Sequence, residues 1–188
     1  MQGVHMSRII SRLETPRLII ELNSDDDPRA SFISCLGPRQ IRQTSAQEEC
    51  SFFSAVQTLL FYSSPNPPSN YKVVLKESLT KIGMIGFFKW FPVERTGAIG
   101  FSLDKNYRNQ GLMTEAVIAF IESWFSQGDF QWIEGRCQPE NIASKKVLLN
   151  AGMTYRSTQE EPLYKGSRIY TLEVYGISKE EWLALNRP

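Results

Sequence analysis

Apolar positions change period several times along the chain, and each change marks an element. Leu18, Ile19 and Ile20 form a short apolar run behind Pro16 and ahead of the turn-rich stretch Asn23–Pro28, which predicts a first strand. The period then becomes helical. Asp27 caps a helix with Pro28 at its first position, and Ala30, Phe32, Ile33 and Leu36 lie on it before Gly37 and Pro38 stop it. A longer helix is predicted over Ser45–Tyr62, with Phe52, Phe53, Val56, Leu59 and Leu60 at helical spacing. The proline-rich stretch Ser63–Asn70 reads as a loop. Alternation follows at Lys72–Lys76, Lys81–Trp90 and Gly97–Leu103, predicting an antiparallel meander.

From Leu112 to Phe125 the apolar residues cover more than one face, so this helix is expected to pack deeply against a sheet. A strand at Gln131–Cys137 and a helix at Ile142–Asn150 come next, with Gly152 as a left-handed residue past the helix end. Two strands near Met153–Ser157 and Arg168–Tyr175 make a hairpin, and Ser178 caps a final helix through Leu185. Two helices between the first strand and the meander, then a strand-helix-strand crossover, predict a mixed α+β domain.

Composition narrows the function. The 188 residues fit one domain, read as 9–188 behind a flexible segment 1–8. Lys and Arg number 21 against 20 Asp and Glu, so no basic stripe calls for nucleic acid and no bulk charge calls for an anionic membrane. Three widely spaced cysteines, Cys35, Cys50 and Cys137, fit neither a disulfide framework nor a close-spaced zinc motif. The one histidine, His5, sits in the polar start, which argues against triad, Cys–His or histidine-rich metal chemistry. No apolar run reaches the roughly 20 residues that span a bilayer, and the expectation is a cytoplasmic protein with no metal.

The most informative stretch is Leu103-Asp104-Lys105-Asn106-Tyr107-Arg108-Asn109-Gln110-Gly111-Leu112-Met113-Thr114. It joins a strand to an apolar helix through a polar turn. Such a turn leaves the first helical amides unpaired at the positive end of the dipole, where they can hold a phosphate. Gly111 permits close approach and a left-handed torsion, while Arg108 and Lys105 add positive charge. Neither a GxxxxGKS/T nor a GxGxxG motif competes for this role.

Arg108-Asn109-Gln110-Gly111-Leu112-Met113 resembles the Gln/Arg-x-x-Gly-x-Gly/Ala signature of the GCN5-related N-acetyltransferases (GNAT). The run Gly111–Ala116 is similar to the form in the branch that acetylates ribosomal-protein N-termini (RimJ/RimL-like). Glu14–Leu18 resembles that branch's opening strand, Gly97–Phe101 its fourth strand, and Asn141–Ser144 through Leu148–Met153 its second helical motif. The resemblance implies a twisted mixed sheet of about seven strands flanked by helices. In it the family's fourth and fifth strands, here Gly97–Leu103 and Gln131–Cys137, splay apart to admit acetyl-coenzyme A.

By the same resemblance, amides from Gln110 to Thr114 (with Leu112 and Met113 between them) hold the diphosphate, and main-chain groups of Phe101, Ser102 and Leu103 pair with the pantetheine arm. Met113 stands where Gly or Ala is usual, with its side chain expected to face the core. Many relatives protonate the leaving sulfur with a tyrosine where this chain has Leu148, and Ser144 is the expected substitute. Asn141 either fixes the pantetheine or caps the helix. The base candidates are Glu161, its neighbour Glu160, and Glu94. The expected acceptor is a protein or peptide α-amine, then a small amine such as a polyamine, an amino acid analogue or an aminoglycoside; the expected assembly is a monomer or homodimer. A non-catalytic acyl-coenzyme A-binding domain is the rival reading, favoured by Leu148 and Met113.

Overall fold

The computed structural model describes residues 10–22, 71–91, 94–127, 130–162 and 169–185. The two helices expected before Ser63, the loop after them, His5, Cys35, Cys50 and the segment 1–8 lie outside the described residues.

Eight strands form one sheet: β1 (Arg12–Glu14), β2 (Leu18–Leu22), β3 (Tyr71–Leu75), β4 (Thr80–Phe91), β5 (Thr96–Leu103), β6 (Trp132–Cys137), β7 (Thr154–Pro162) and β8 (Ile169–Ser178). The described helices are α1 (Leu112–Gln127), α2 (Ile142–Asn150) and α3 (Lys179–Leu185). The sheet order is β1-β2-β3-β4-β5-β6-β8-β7. Every joint is antiparallel except β5–β6, which the α1 crossover makes parallel. This is the expected mixed α+β sheet. The strand beyond the expected seven is β1, whose three residues pair with Ile19–Glu21 at the sheet edge.

The wrap-round apolar pattern of α1 is explained by its packing. Leu112, Met113, Ala116, Val117, Phe120, Ile121, Trp124 and Phe125 are all buried against the sheet. Phe87 of β4 stacks on Phe130 at 5.0 Å between ring centroids and meets Phe120 at 5.2 Å and Trp124 edge-on at 5.4 Å. Burial of several aromatic rings at the middle of the sheet anchors α1, and with it the turn that leads into α1. The helix α2 follows β6 and lays Leu148, 1% exposed, over that strand. Gly135 makes this possible, since a Cβ there would stand 2.4 Å from Leu148 Cδ2. No helix among the described residues is long and apolar enough to cross a membrane.

Candidate active site

The parallel joint is short. Thr96–Ile99 of β5 pair with Trp132–Gly135 of β6, and there the register ends although β5 continues to Leu103 and β6 to Cys137. The two strands therefore part at their C-terminal ends, and β5 keeps its pairing there with β4 alone, through Phe101–Ile85, Ser102–Met84 and Gly83–Leu103. The Asp104 amide donates to Ile82 of β4 at 2.8 Å. By the alternation of a strand, the Leu103 amide points the other way, away from β4 and into the opening.

Beyond β5 a single 3-10 turn, Lys105–Tyr107, leads to the start of α1. Asn109 and Gly111 both adopt left-handed torsions, φ +61° and +74°. The first helical bond of the turn is from the Glu115 amide to the Gly111 carbonyl, 3.0 Å. The amides of Gln110, Gly111, Leu112, Met113 and Thr114 have no acceptor among the described residues. Among the described residues, side chains leave this corner open. The nearest described atom to the place a Gly111 Cβ would take is Arg17 Nη2, at 3.6 Å. Met113, 5% exposed, faces the core as expected and leaves its amide to the turn.

Side chains brace the turn from both flanks. Arg108 Nε donates to the Leu103 carbonyl at 3.0 Å, and Gln110 Nε2 to the Asn106 carbonyl at 3.3 Å. Arg108 thus ties the end of β5 to the turn besides adding charge. On the other flank stands a group that local reading of the sequence missed. Arg17, in the turn between β1 and β2, reaches the Glu115 carboxylate with Nε at 2.7 Å and the Gln110 carbonyl with Nη1 at 3.0 Å. The Thr15 hydroxyl and the Arg17 amide both donate to Glu115 Oε1, at 2.5 and 3.1 Å. Burial alone raises the Glu115 carboxyl, and the Thr15 hydroxyl with the Arg17 guanidinium and amide more than offset it, holding it below 4.5. Glu115 is a latch as well as a first-turn acid.

Across the opening, α2 begins. The Asn141 carboxamide oxygen accepts the Ser144 amide at 3.1 Å, so Asn141 is the helix cap, one of its two expected roles. The Ser144 hydroxyl has no partner among the described residues. Leu148, at the tyrosine position of the family pattern, is buried core rather than a group in the opening.

Beside Ser144, Lys145 pairs with Glu173 of β8 at 2.7 Å, and the Tyr175 hydroxyl donates to the same carboxylate at 2.7 Å. The Lys145 hydrogen bond, followed by that of Tyr175, holds Glu173 below the usual carboxylate value, and Glu173 in turn raises Lys145. Burial, with the Glu173 charge, pushes Tyr175 up to about 12. Burial and then Glu173 push the Cys137 thiol up to about 11, which leaves it a protonated core residue.

The base candidates separate by place. Glu94 is exposed and precedes β5 at its closed end, more than about 20 Å along the strand from Leu103, so the fold does not bring it to the opening. Glu160 and Glu161 lie on β7 opposite Thr171 and Tyr170, where the β7–β8 hairpin runs on past the last β6 pair, Cys137–Glu173. That overhang is on the open side.

The sequence family described as an acetyltransferase (GNAT) domain matches residues 8–154. The chain is 35% identical over 112 residues to the uncharacterized N-acetyltransferase YnaD of Bacillus subtilis (strain 168), a stretch covering 60% of this chain and 65% of that protein. It is 31% identical over 71 residues to the ribosomal-protein-serine acetyltransferase of Escherichia coli (strain K12), covering 38% and 40% of the two. Among solved structures, a GNAT-family acetyltransferase from Bacillus anthracis shares the fold with a TM-score of 0.66 and 22% identity, over 90% of this chain and 99% of that one. The ribosomal L7/L12 α-N-protein acetyltransferase RimL in complex with coenzyme A does so with a TM-score of 0.61 and 17% identity, over 90% and 97%.

Proposed function

The chain belongs to the GNAT acetyltransferase family, and from that premise we propose that it is an N-acetyltransferase that uses acetyl-coenzyme A as co-substrate and a protein or peptide α-amine as acceptor. The observation that carries the reading is the β5–β6 opening beside five amides at the start of α1 that have no acceptor among the described residues. An extended thiol arm ending in a diphosphate fits that pairing of a strand edge with an anion-binding turn.

The bound co-substrate supplies an acetyl thioester; transfer forms a C–N bond to the amine and breaks the C–S bond. The amides of Gln110–Thr114 and the end of the α1 dipole hold the diphosphate. Main-chain groups of Phe101–Leu103 align the pantetheine, and the Leu103 amide stabilises the negative charge that develops on the carbonyl oxygen. The Ser144 hydroxyl donates to the departing thiolate. Glu161, or Glu160 beside it, takes the ammonium proton, directly or through one water. Transfer is direct, since the Cys137 thiol stays protonated and no histidine stands near it among the described residues.

The α-amine of a protein ranks first because RimL is named an α-N-protein acetyltransferase and the E. coli relative a ribosomal-protein-serine acetyltransferase. Thiol release on mixing acetyl-coenzyme A with N-terminal peptides and with a panel of polyamines, amino acid analogues and aminoglycosides tests the reading. Release with peptides is expected. Release with small amines alone moves the acceptor to the small-molecule class, and coenzyme A binding without release on any amine makes the domain a non-catalytic binder.

A further inference from the structure

We propose that Arg17 is a positioning residue of the diphosphate cradle, acting by fixing the Gln110–Gly111 peptide and by cancelling the charge of Glu115; this rests on the reading of the site given above. The fixed peptide comes first. Arg17 Nη1 holds the Gln110 carbonyl at 3.0 Å. In a trans peptide the C=O and the following N–H point in opposite directions, so anchoring that oxygen turns the Gly111 N–H away from Arg17. Gly111, at φ +74°, tolerates either orientation of this peptide, which is therefore free to flip unless something holds it.

Charge is the second part. A carboxylate in the first turn of α1 sits at the positive helix end that the diphosphate is to occupy, and it repels that ligand. The Arg17 guanidinium, with Nε 2.7 Å from Glu115 Oε2, neutralises it. Stability accounts for part of the pair, since the Glu115 side chain is only 19% exposed, but the Arg17 side chain is 48% exposed and solvent screens the attraction. Yet four hydrogen bonds tie residues 15–17 to Glu115 and Gln110 across about a hundred positions of sequence. That investment of contacts makes sense at a ligand cradle.

The experiment measures the dissociation constants of coenzyme A and of pantetheine, which lacks the diphosphate, for the wild type, Arg17→Ala, Arg17→Lys and the double variant Arg17→Ala/Glu115→Gln. Arg17→Ala is expected to weaken coenzyme A about tenfold and to leave pantetheine unchanged. Arg17→Lys keeps the charge but not the two-point fork and is expected to fall between wild type and Arg17→Ala. The double variant is expected to regain part of the lost affinity, because the uncompensated carboxylate is gone. Unchanged coenzyme A affinity in Arg17→Ala overturns the inference, as does an equal loss for both ligands, since that is a general loss of structure. If Arg17→Ala does not fold, Arg17→Lys decides by the same comparison. A wild type that binds no coenzyme A overturns the reading of the site, and the inference with it.

Discussion

The contact between Gly135 and Leu148 sits at the apex of the β5–β6 opening and can be interrogated by exchange of volume. A methyl at position 135 would lie 2.4, 3.2 and 3.3 Å from Leu148 Cδ2, Cδ1 and Cγ. Ordinary carbon contacts need about 3.5–4.0 Å, so Gly135→Ala forces Leu148 back by about 1 Å in a site with no slack. Overpacking of this kind costs about 1–3 kcal/mol, reduced by about 0.5–1 kcal/mol because glycine is entropically unfavourable within a strand. Leu148→Ala removes a side chain only 1% exposed, for about 2–5 kcal/mol. The three atoms it deletes are the three that a methyl on residue 135 would strike. In the double variant the clash vanishes and the new methyl fills part of the void. Urea unfolding followed by circular dichroism should therefore show the double variant more stable than the summed single effects predict, by about 1–3 kcal/mol. Additivity within about 0.5 kcal/mol would refute the packing argument.

The remaining predictions concern chemistry and pH. Gly111→Val places a β-branched residue at φ +74°, at a backbone cost of about 1–2 kcal/mol, and should raise the coenzyme A dissociation constant at least about tenfold; unchanged affinity by calorimetry would show that the turn is not the cradle. Ser144→Ala should lower kcat about a hundredfold while leaving coenzyme A affinity intact, and full activity would reduce Ser144 to a helix residue. Glu14, Glu115, Glu173 and Glu181 all have carboxyls held below 4.5 in the folded chain. Their stabilising effect is complete above that value and is lost as pH falls through the depressed folded values. Cys137 is raised from 9.0 to about 11, so its effect has the opposite sense, present below 9.0 and lost as pH rises toward 11. The urea midpoint measured against pH should be flat between these limits, and a midpoint that climbs on acidification would contradict the carboxylate pairings.

The parts of the site legible in the sequence were those set by local rules. The turn before α1 was readable because a polar, glycine-bearing link into an apolar helix leaves the first helical amides unpaired, and these have no acceptor among the described residues, while its use for a phosphate rested on the family resemblance, since such turns are common. Gly152 has the left-handed torsion expected past a helix end, φ +84°, and Ser178 caps α3 by accepting the Glu181 amide at 3.1 Å. Relations across the fold were not readable. The Arg17–Glu115 latch joins residues 98 positions apart, and nothing in the spacing of either announces the other. The strand β1 escaped because three residues at a sheet edge, mostly exposed, show no apolar alternation. Glu94 was attractive beside a strand that lines the site, but the sequence does not say which end of that strand is left unpaired.

The short parallel seam also has a consequence for synthesis. While the ribosome works from Asp104 onward, β2–β5 can already assemble, yet the outer rim of β5 has no neighbour until residues 132–135 emerge. Until then the nascent protein offers an unclaimed strand rim to any other extended polypeptide.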